Sequence, residues 1–335
     1  MIRGASLRGF VGLVEELGGD AEQFLERFSI PPAALTSETE VVPITSHDLM
    51  LDAVAHDLRC PDFGLRLAAR QDLGILGRLA LAIETSSTAG EAVECVSRFL
   101  FVHSPALSIR VEPDPWGHRE VAALTYRKDP RESPYSPQAT ELGVALFHEV
   151  ALALLGSLVG LRSVELPHQP LSPVSRYTEF FGADVRFGRP VAALRVERRA
   201  LDAEFGSADA AIRRFAVRYL EVHHTDPEHL VSTRVRRALA GSVGSTQPSI
   251  AGVARLLAMH PRTLQRRLAA ESTGYEAILD DVRQELALRY LGTTDLPLGQ
   301  VAAMAGFSGQ SGLSHAVRRW RGVSPSEMRR RLRGT

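Results

Sequence analysis

Two stretches decide the fold. The first is Val253-Ala254-Arg255-Leu256-Leu257-Ala258-Met259-His260, followed by Leu264 and Leu268; the second is Val301-Ala302-Ala303-Met304-Ala305-Gly306-Phe307-Ser308, followed by Leu313 and Val317. Each reads as a short apolar helix, a tight turn, and a second helix that turns a Leu and its i+4 partner inward. The small Ala254 and Ala302 let two helices cross closely. A Gly or another small residue suits the turn, where the backbone can need a left-handed conformation. The pattern is a helix-turn-helix, present twice in one chain.

Between the copies, Tyr275 to Leu291 carries Ile278, Leu279, Val282, Leu286, Leu288 and Leu291, a mostly helical spacing. At roughly 1.5 Å per residue this segment spans about 25 Å. Two helices reading successive major grooves on one face of DNA sit about 34 Å apart. A stiff spacer of this length would let one chain do what a helix-turn-helix dimer does.

The charge distribution agrees. The chain of 335 residues is 44% apolar and 23% charged, which suits a globular protein of two domains. Its zero formal charge hides a division. From Val231 onward there are sixteen Arg, no Lys and seven acidic residues, a net of +9, which leaves −9 for the preceding part. A basic module beside an acidic one is the electrostatic footprint of a DNA-binding domain with a separate sensor. The plainer alternative is that the Arg-rich helices are solvated faces. Only Cys60 and Cys95 are present, too few for a disulfide framework or a cysteine-rich metal site. The first residues, Met1-Ile2-Arg3-Gly4, lack the apolar run of a signal peptide. The longest apolar segment, Leu142 to Leu161, is interrupted by His148, Glu149 and Gly156, so it reads as a buried helix rather than a membrane span. A cytoplasmic protein with no membrane partner is expected.

The first part of the chain mixes periods. Ser6 is expected to cap a helix carrying Leu7, Phe10, Val11, Val14 and Leu17, stopped by Gly18-Gly19. Asp20 with Gln23 resembles a capping box for a second helix that ends before Pro31-Pro32. Further helices are expected from Ser46, with Leu49, Val54 and Leu58 inward, from Leu65 to Arg70, and from Ala89 to Val102. Strands follow at Leu107 to Val111 and Val121 to Tyr126, joined by the turn chemistry of Pro113-Asp114-Pro115-Trp116-Gly117. A long helix from Ala139 to Val159 precedes short strands at Val164 to Leu166, Val185 to Phe187 and Ala193 to Val196, with a helical turn at Tyr177 to Phe181. Ala210 to Leu220 and Pro227 to Ala240 read as helices, and Gly241 to Pro248 as a loop. This is α+β, not an alternating βαβ pattern.

A specific resemblance now emerges. Thr263-Leu264-Gln265-Arg266-Arg267-Leu268, Glu285-Leu286-Ala287, Val301-Ala302, Gly306-Phe307-Ser308 and Ser324-Pro325-Ser326 occur in order and at the spacing of one family. They resemble the C-terminal DNA-binding domain of AraC/XylS-type transcription regulators. Phe63-Gly64-Leu65-Arg66-Leu67, Gly74 to Gly77, Thr85-Ser86 and Glu179 to Gly188 are similar to the arabinose-binding-like effector domain of one subgroup of these regulators. The resemblance implies an α+β effector-binding and oligomerisation domain over 1–225, and an all-α domain over 226–335 with two helix-turn-helix motifs joined by a long helix. It implies double-stranded promoter DNA, a small-molecule effector, a second copy of the chain and RNA polymerase as partners.

With Leu264 and Leu268 inward, Arg262, Thr263, Gln265 and Arg266 form the outward group of the first copy. Arg suits guanine, Gln suits adenine and the Thr methyl suits thymine. Gln310, Ser311, Ser314 and His315 occupy the matching positions of the second copy. Arg267, Arg318, Arg319 and Arg321 are phosphate candidates. Against the family pattern, Ala258 stands where Gly is common, His260 where Ser is, Leu313 where Phe is and His315 where Arg is, so the second reader is smaller and less basic.

Catalytic signatures do not appear. There is no G-x-S-x-G, P-loop, G-x-G-x-x-G or H-E-x-x-H, and no cofactor is expected. His223, His224 and His229 lack a fourth ligand, and exposed histidines are the better reading than a metal site. His103 and His148 lie in apolar segments; they are the polar groups to inspect first in a sensor pocket, although satisfied core residues are commoner there. The function expected is an effector-responsive regulator. Its alternatives are a first domain that only oligomerises, or an enzyme fused to a DNA-binding module.

Overall fold

The computed structural model describes residues 1–37, 39–156, 160–223, 230–243, 248–271 and 273–333. The chain opens with a two-residue strand, β1 (Ile2–Arg3), paired antiparallel with β2 (Val41–Val42), and between them lie α1 (Phe10–Glu16) and α2 (Ala21–Arg27). Then come α3 (Ile44–Asp57), α4 (Phe63–Ala68), α5 (Arg78–Glu84) and α6 (Ala89–Phe99). The hairpin of β3 (Leu107–Pro113) and β4 (Val121–Lys128) is followed by the long helix α7 (Pro137–Leu155). Next are β5 (Leu161–Glu165), α8 (Val174–Phe181), β6 (Asp184–Arg186), β7 (Ala192–Glu197) and α9 (Ala210–His223). The five longer strands form one mixed sheet in the order β3-β4-β7-β5-β6, in which only the β5–β6 pair is parallel. This α+β domain was expected.

The rest is helical: α10 (Val231–Ser242), α11 (Ile250–Leu256), α12 (Pro261–Ala270), α13 (Tyr275–Thr293), α14 (Leu298–Met304), α15 (Gln310–Arg321) and α16 (Pro325–Arg333). The two repeated stretches are α11–α12 and α14–α15, and α13 joins them. At about 1.5 Å per residue α13 is about 28 Å long, slightly longer than the periodicity suggested. The boundary expected near residue 225, and His224 and His229, lie outside the described residues.

Local chemistry explains several helix starts. Asp20 accepts the Gln23 N–H at 3.1 Å, Thr88 accepts that of Glu91 at 3.2 Å, and Ser136 accepts that of Ala139 at 3.1 Å, with Pro137 in the first turn of α7. Some expectations need correction. Ser6 caps nothing: it sits in a 3-10 turn over Gly4–Leu7, and left-handed Gly9 (φ 82°) separates that turn from α1, leaving Val11 exposed. Pro43 fixes the start of α3 two residues before Ser46, so Ile44, His47, Met50 and Leu51 are buried while Leu49 lies at the edge. Helix α5 was not anticipated. By length and composition α7 could cross a membrane, yet it buries Gln138, Thr140, Glu141 and His148 inside the domain together with Leu142 and Ala145.

One buried ion pair ties the hairpin turn to the sheet. Arg195 of β7 meets Asp114 through Nε at 2.6 Å and Nη2 at 3.0 Å, and its Nη1 reaches the Ser163 hydroxyl at 2.9 Å. Nearby, Trp116 Nε1 donates to Glu165 at 2.7 Å. The Pro-Asp-Pro-Trp-Gly segment is therefore pinned and not merely a flexible link.

The helical region rests on the first domain through α3 and its surroundings. Leu49 of α3 packs on Gly292 of α13, where an added Cβ would lie 3.1 Å from the Leu49 Cδ1. Arg289 donates to the Pro130 carbonyl at 3.1 Å. Arg27 pairs with Asp57 at 2.7 Å and also donates to the carbonyls of Arg331 and of Leu332, the latter at 3.1 Å.

Candidate nucleic-acid interface and sensor cavity

The two reading units are built alike. Val253, Ala254, Leu264 and Leu268 of the first, and Val301, Ala302, Leu313 and Val317 of the second, are all buried. Ala254 and Ala302 are fully buried where the paired helices cross. The turns confirm the need for a left-handed residue: Ala258 has φ 52° and Gly306 has φ 76°. His260, standing where the family commonly has Ser, performs the capping role itself, since its Nδ1 accepts the Arg262 N–H at 3.3 Å and Pro261 opens α12. Ser249 caps α11 by accepting the Gly252 N–H at 3.1 Å.

The second turn has a brace that the sequence reading missed. Arg283 of α13 donates to the Gly306 carbonyl at 2.8 Å, and its guanidinium lies 5.1 Å from the centre of the Phe307 ring. Trp320 Nε1 donates to Asp280 at 2.9 Å, fixing α15 against α13. An Arg in mid-helix carries no local signal that it will reach back to a turn carbonyl, and only the fold reveals it.

Of the residues named from sequence, Arg262, Gln265 and Arg266 are exposed on α12 and Thr263 is half-buried. On α15, Gln310, Ser311 and His315 are exposed and Ser314 is half-buried. The phosphate candidates divide. Arg267 and Arg318 are exposed, and neither side chain has a partner among the described residues. Arg319 pairs with Asp280. Arg321 is turned toward the first domain, where it donates to the Ser29 carbonyl at 3.4 Å, and burial lowers its pKa. Arg255 on α11, not singled out from sequence, is exposed and unpartnered in the same sense. The first unit thus presents four free guanidiniums (Arg255, Arg262, Arg266 and Arg267) and the second presents one, Arg318.

Inside the first domain lies a cavity of about 150 Å³ between the sheet, α3, α6 and α7. Along α7 its lining runs from Ala139 to Leu155, which at about 1.5 Å per residue is more than 20 Å. Most of the wall is Leu, Ile, Val, Ala and Phe. Polar groups gather where Ser6, His47, Asp48, Gln71, His103 and Lys128 meet. Asp48 is satisfied there: it takes Lys128, the Ser133 hydroxyl at 2.6 Å and His47 Nδ1 at 3.0 Å. His103 is in this lining, and burial pushes its pKa down to about 3. His148 is elsewhere: buried outside the cavity, it donates from Nε2 to the Phe181 carbonyl at 3.1 Å and stands edge-on to the Phe181 ring. His223 stacks on Tyr219 at 4.0 Å.

Known proteins share this architecture. Residues 18–205 match the model described as the arabinose-binding domain of AraC transcription regulator, N-terminal, and residues 253–331 match a helix-turn-helix domain. The chain is 36% identical to the HTH-type transcriptional regulator VirS of Mycobacterium tuberculosis, over 98% of this chain and 96% of that protein. It is 27% identical to the ornithine utilization regulator of Pseudomonas aeruginosa, over 97% and 95%. Among solved structures, the transcriptional regulator CdpR from Pseudomonas aeruginosa aligns at 23% identity with a TM-score of 0.45, over 92% of this chain and 97% of that one. The chain is a DNA-binding transcription regulator rather than an enzyme, and it belongs to the AraC-type family whose members join an arabinose-binding-like N-terminal domain to a helix-turn-helix domain.

Proposed function

We propose that the chain reads two adjacent stretches of promoter DNA through α12 and α15, and that a small molecule in the N-terminal cavity controls this reading. The domains are residues 1–225, sensing and self-associating, and 226–335, reading DNA. The observation that carries the proposal is the distribution of free guanidiniums. Four stand on the first unit and one on the second, so the first supplies most of the phosphate and guanine affinity, while the second adds register. Arg262, Thr263, Gln265 and Arg266 face bases in the first half-site, and Gln310, Ser311, Ser314 and His315 face those of the second. Arg267 and Arg318 take phosphates. Arg319 and Arg321 join them only by leaving Asp280 and Ser29.

The effector reading is supported by a cavity whose polar groups converge from several elements, the usual form of a small-molecule site. The test uses the full-length protein on an operator selected from random DNA. With some six phosphate contacts, log affinity should fall with log salt at a slope of about −5. Arg262→Ala or Arg266→Ala should cost about 1–3 kcal/mol, and His315→Ala less. Equal affinity for the selected site and random DNA would overturn the proposal; a His315→Ala loss larger than either Arg loss would overturn the ranking of the two units.

A further inference from the structure

The cavity carries information about its occupant beyond the fact that one fits. Four buried polar atoms of residues on its lining have no partner among the described residues: the Ser6 hydroxyl, His47 Nε2, Gln71 Oε1 and His103 Nδ1. Buried polar groups are normally paired, so four orphans on one cavity mark a place for a ligand's polar end.

Their roles can be assigned. Gln71, on the cavity lining, spends both N–H groups, on the Ser6 carbonyl at 2.8 Å and the Arg8 carbonyl at 3.0 Å, so its oxygen is left as an unpartnered acceptor. His103 is neutral and bonds the Ile75 backbone through its other ring nitrogen, so Nδ1 offers a lone pair. His47 gives its Nδ1–H to Asp48, which leaves Nε2 without a partner among the described residues. Ser6 can give or take. Gln71 Oε1 and His103 Nδ1 are fixed as acceptors, and they seek a donor. Lys128, the lysine on this lining, is engaged by Asp48 and is not left for an anion. Away from this corner the wall is apolar, with Leu154, Leu155, Leu161, Leu201 and Phe205 at the other end.

We propose that the cavity binds a slender, largely apolar molecule ending in one uncharged hydrogen-bond-donating head, a hydroxyl or an amide, and rejects both free sugars and carboxylates. This rests on the reading of the cavity as the effector site. A monosaccharide has hydroxyls on every side, and most would face Leu, Val and Phe, each losing its hydrogen bonds with water. A carboxylate would set its charge against the Gln71 oxygen and the His103 lone pair. An alcohol or amide gives the orphaned acceptors the protons that they lack, and its chain fills the apolar arm.

The experiment is calorimetric titration of the full-length protein with five probes: 1-octanol, octanamide, octanoate, 1-methoxyheptane and L-arabinose. The alcohol and the amide should bind at least tenfold more tightly than octanoate or the ether, and arabinose should not bind. Ser6→Ala should weaken 1-octanol about fivefold and leave 1-methoxyheptane unchanged. Leu201→Trp, which fills the apolar arm at a half-buried position, should abolish binding of all the chain-bearing probes. Tighter binding of octanoate, of arabinose or of the ether overturns the assigned class while leaving the cavity a ligand site. Failure of every probe overturns the class and the ligand-site reading together. If 1-octanol binds as described and operator affinity does not respond, the ligand class stands and the effector role falls.

Discussion

The two turns of the reading units adopt one backbone conformation with different residues, and this makes a residue-scale comparison possible. Gly306 holds φ 76° beside Val243, whose Cγ1 would stand 2.7 Å from an added Cβ. Gly306→Ala therefore meets both a left-handed penalty and a clash, and should destabilise the chain by about 2 kcal/mol or more. Ala258 already bears the left-handed penalty at φ 52° on an exposed turn. Ala258→Gly removes that strain but frees the unfolded chain by a similar amount, so stability should change by less than about 0.5 kcal/mol. Urea unfolding of the full chain distinguishes them; equal effects would refute the argument. The need for small residues at both turns was legible in the sequence, because the pattern repeats within 50 or so residues. The Arg283 brace was not, since a mid-helix Arg looks like any solvated one. The orphaned polar atoms of the cavity were equally invisible: Ser6, His47, Gln71 and His103 come from four separate segments, and only folding brings them together.

Among the elements, caps and periodicity predicted α2, α6, α7 and the β3–β4 hairpin closely, because each is determined by neighbours in sequence. Helix α5 was missed because Leu79-Ala80-Leu81-Ala82-Ile83 is a short apolar run without a capping side chain, compatible with strand or helix until it packs. Helix α9 shows what an element's exposed face can mean. Ile212, Phe215 and Val222 are 43%, 70% and 65% exposed, and with half-buried Tyr219 they recur at spacings of three, four and three residues. That spacing fits the seam of a two-stranded coiled coil, whose natural complement is the same seam on a second copy. We therefore expect a dimer in which α9 pairs with α9. Phe215→Glu should raise the dimer dissociation constant by at least about 150-fold, because burying each Phe is worth about 1.5 kcal/mol or more and two are lost. Sedimentation equilibrium measures it, and an unchanged constant would remove α9 from the interface.

For the whole molecule, α3 matters most. One face carries Ile44, His47 and Asp48 into the cavity wall, and Leu49 leans on Gly292 of α13. A ligand can alter DNA reading only by favouring one arrangement of the two domains over another. Helix α3 touches both the cavity and α13. Gly292→Val should wedge this contact apart. Operator affinity without ligand should change less than about threefold, since α12 and α15 are untouched, while the ligand-induced change in operator affinity should be lost. Footprinting with and without 1-octanol would test this; an intact response would exclude α3 as the link.

The same helix bears on how related compounds would differ as drugs do. His47 and Asp48 belong to the polar corner, whereas the apolar arm at Leu201 and Phe205 has no share in α3. Lengthening or trimming the tail should therefore shift potency, the concentration for half-response, and leave the ceiling of the response alone. Altering the head should move the ceiling itself, so that head-modified, tail-matched compounds become partial agonists or antagonists.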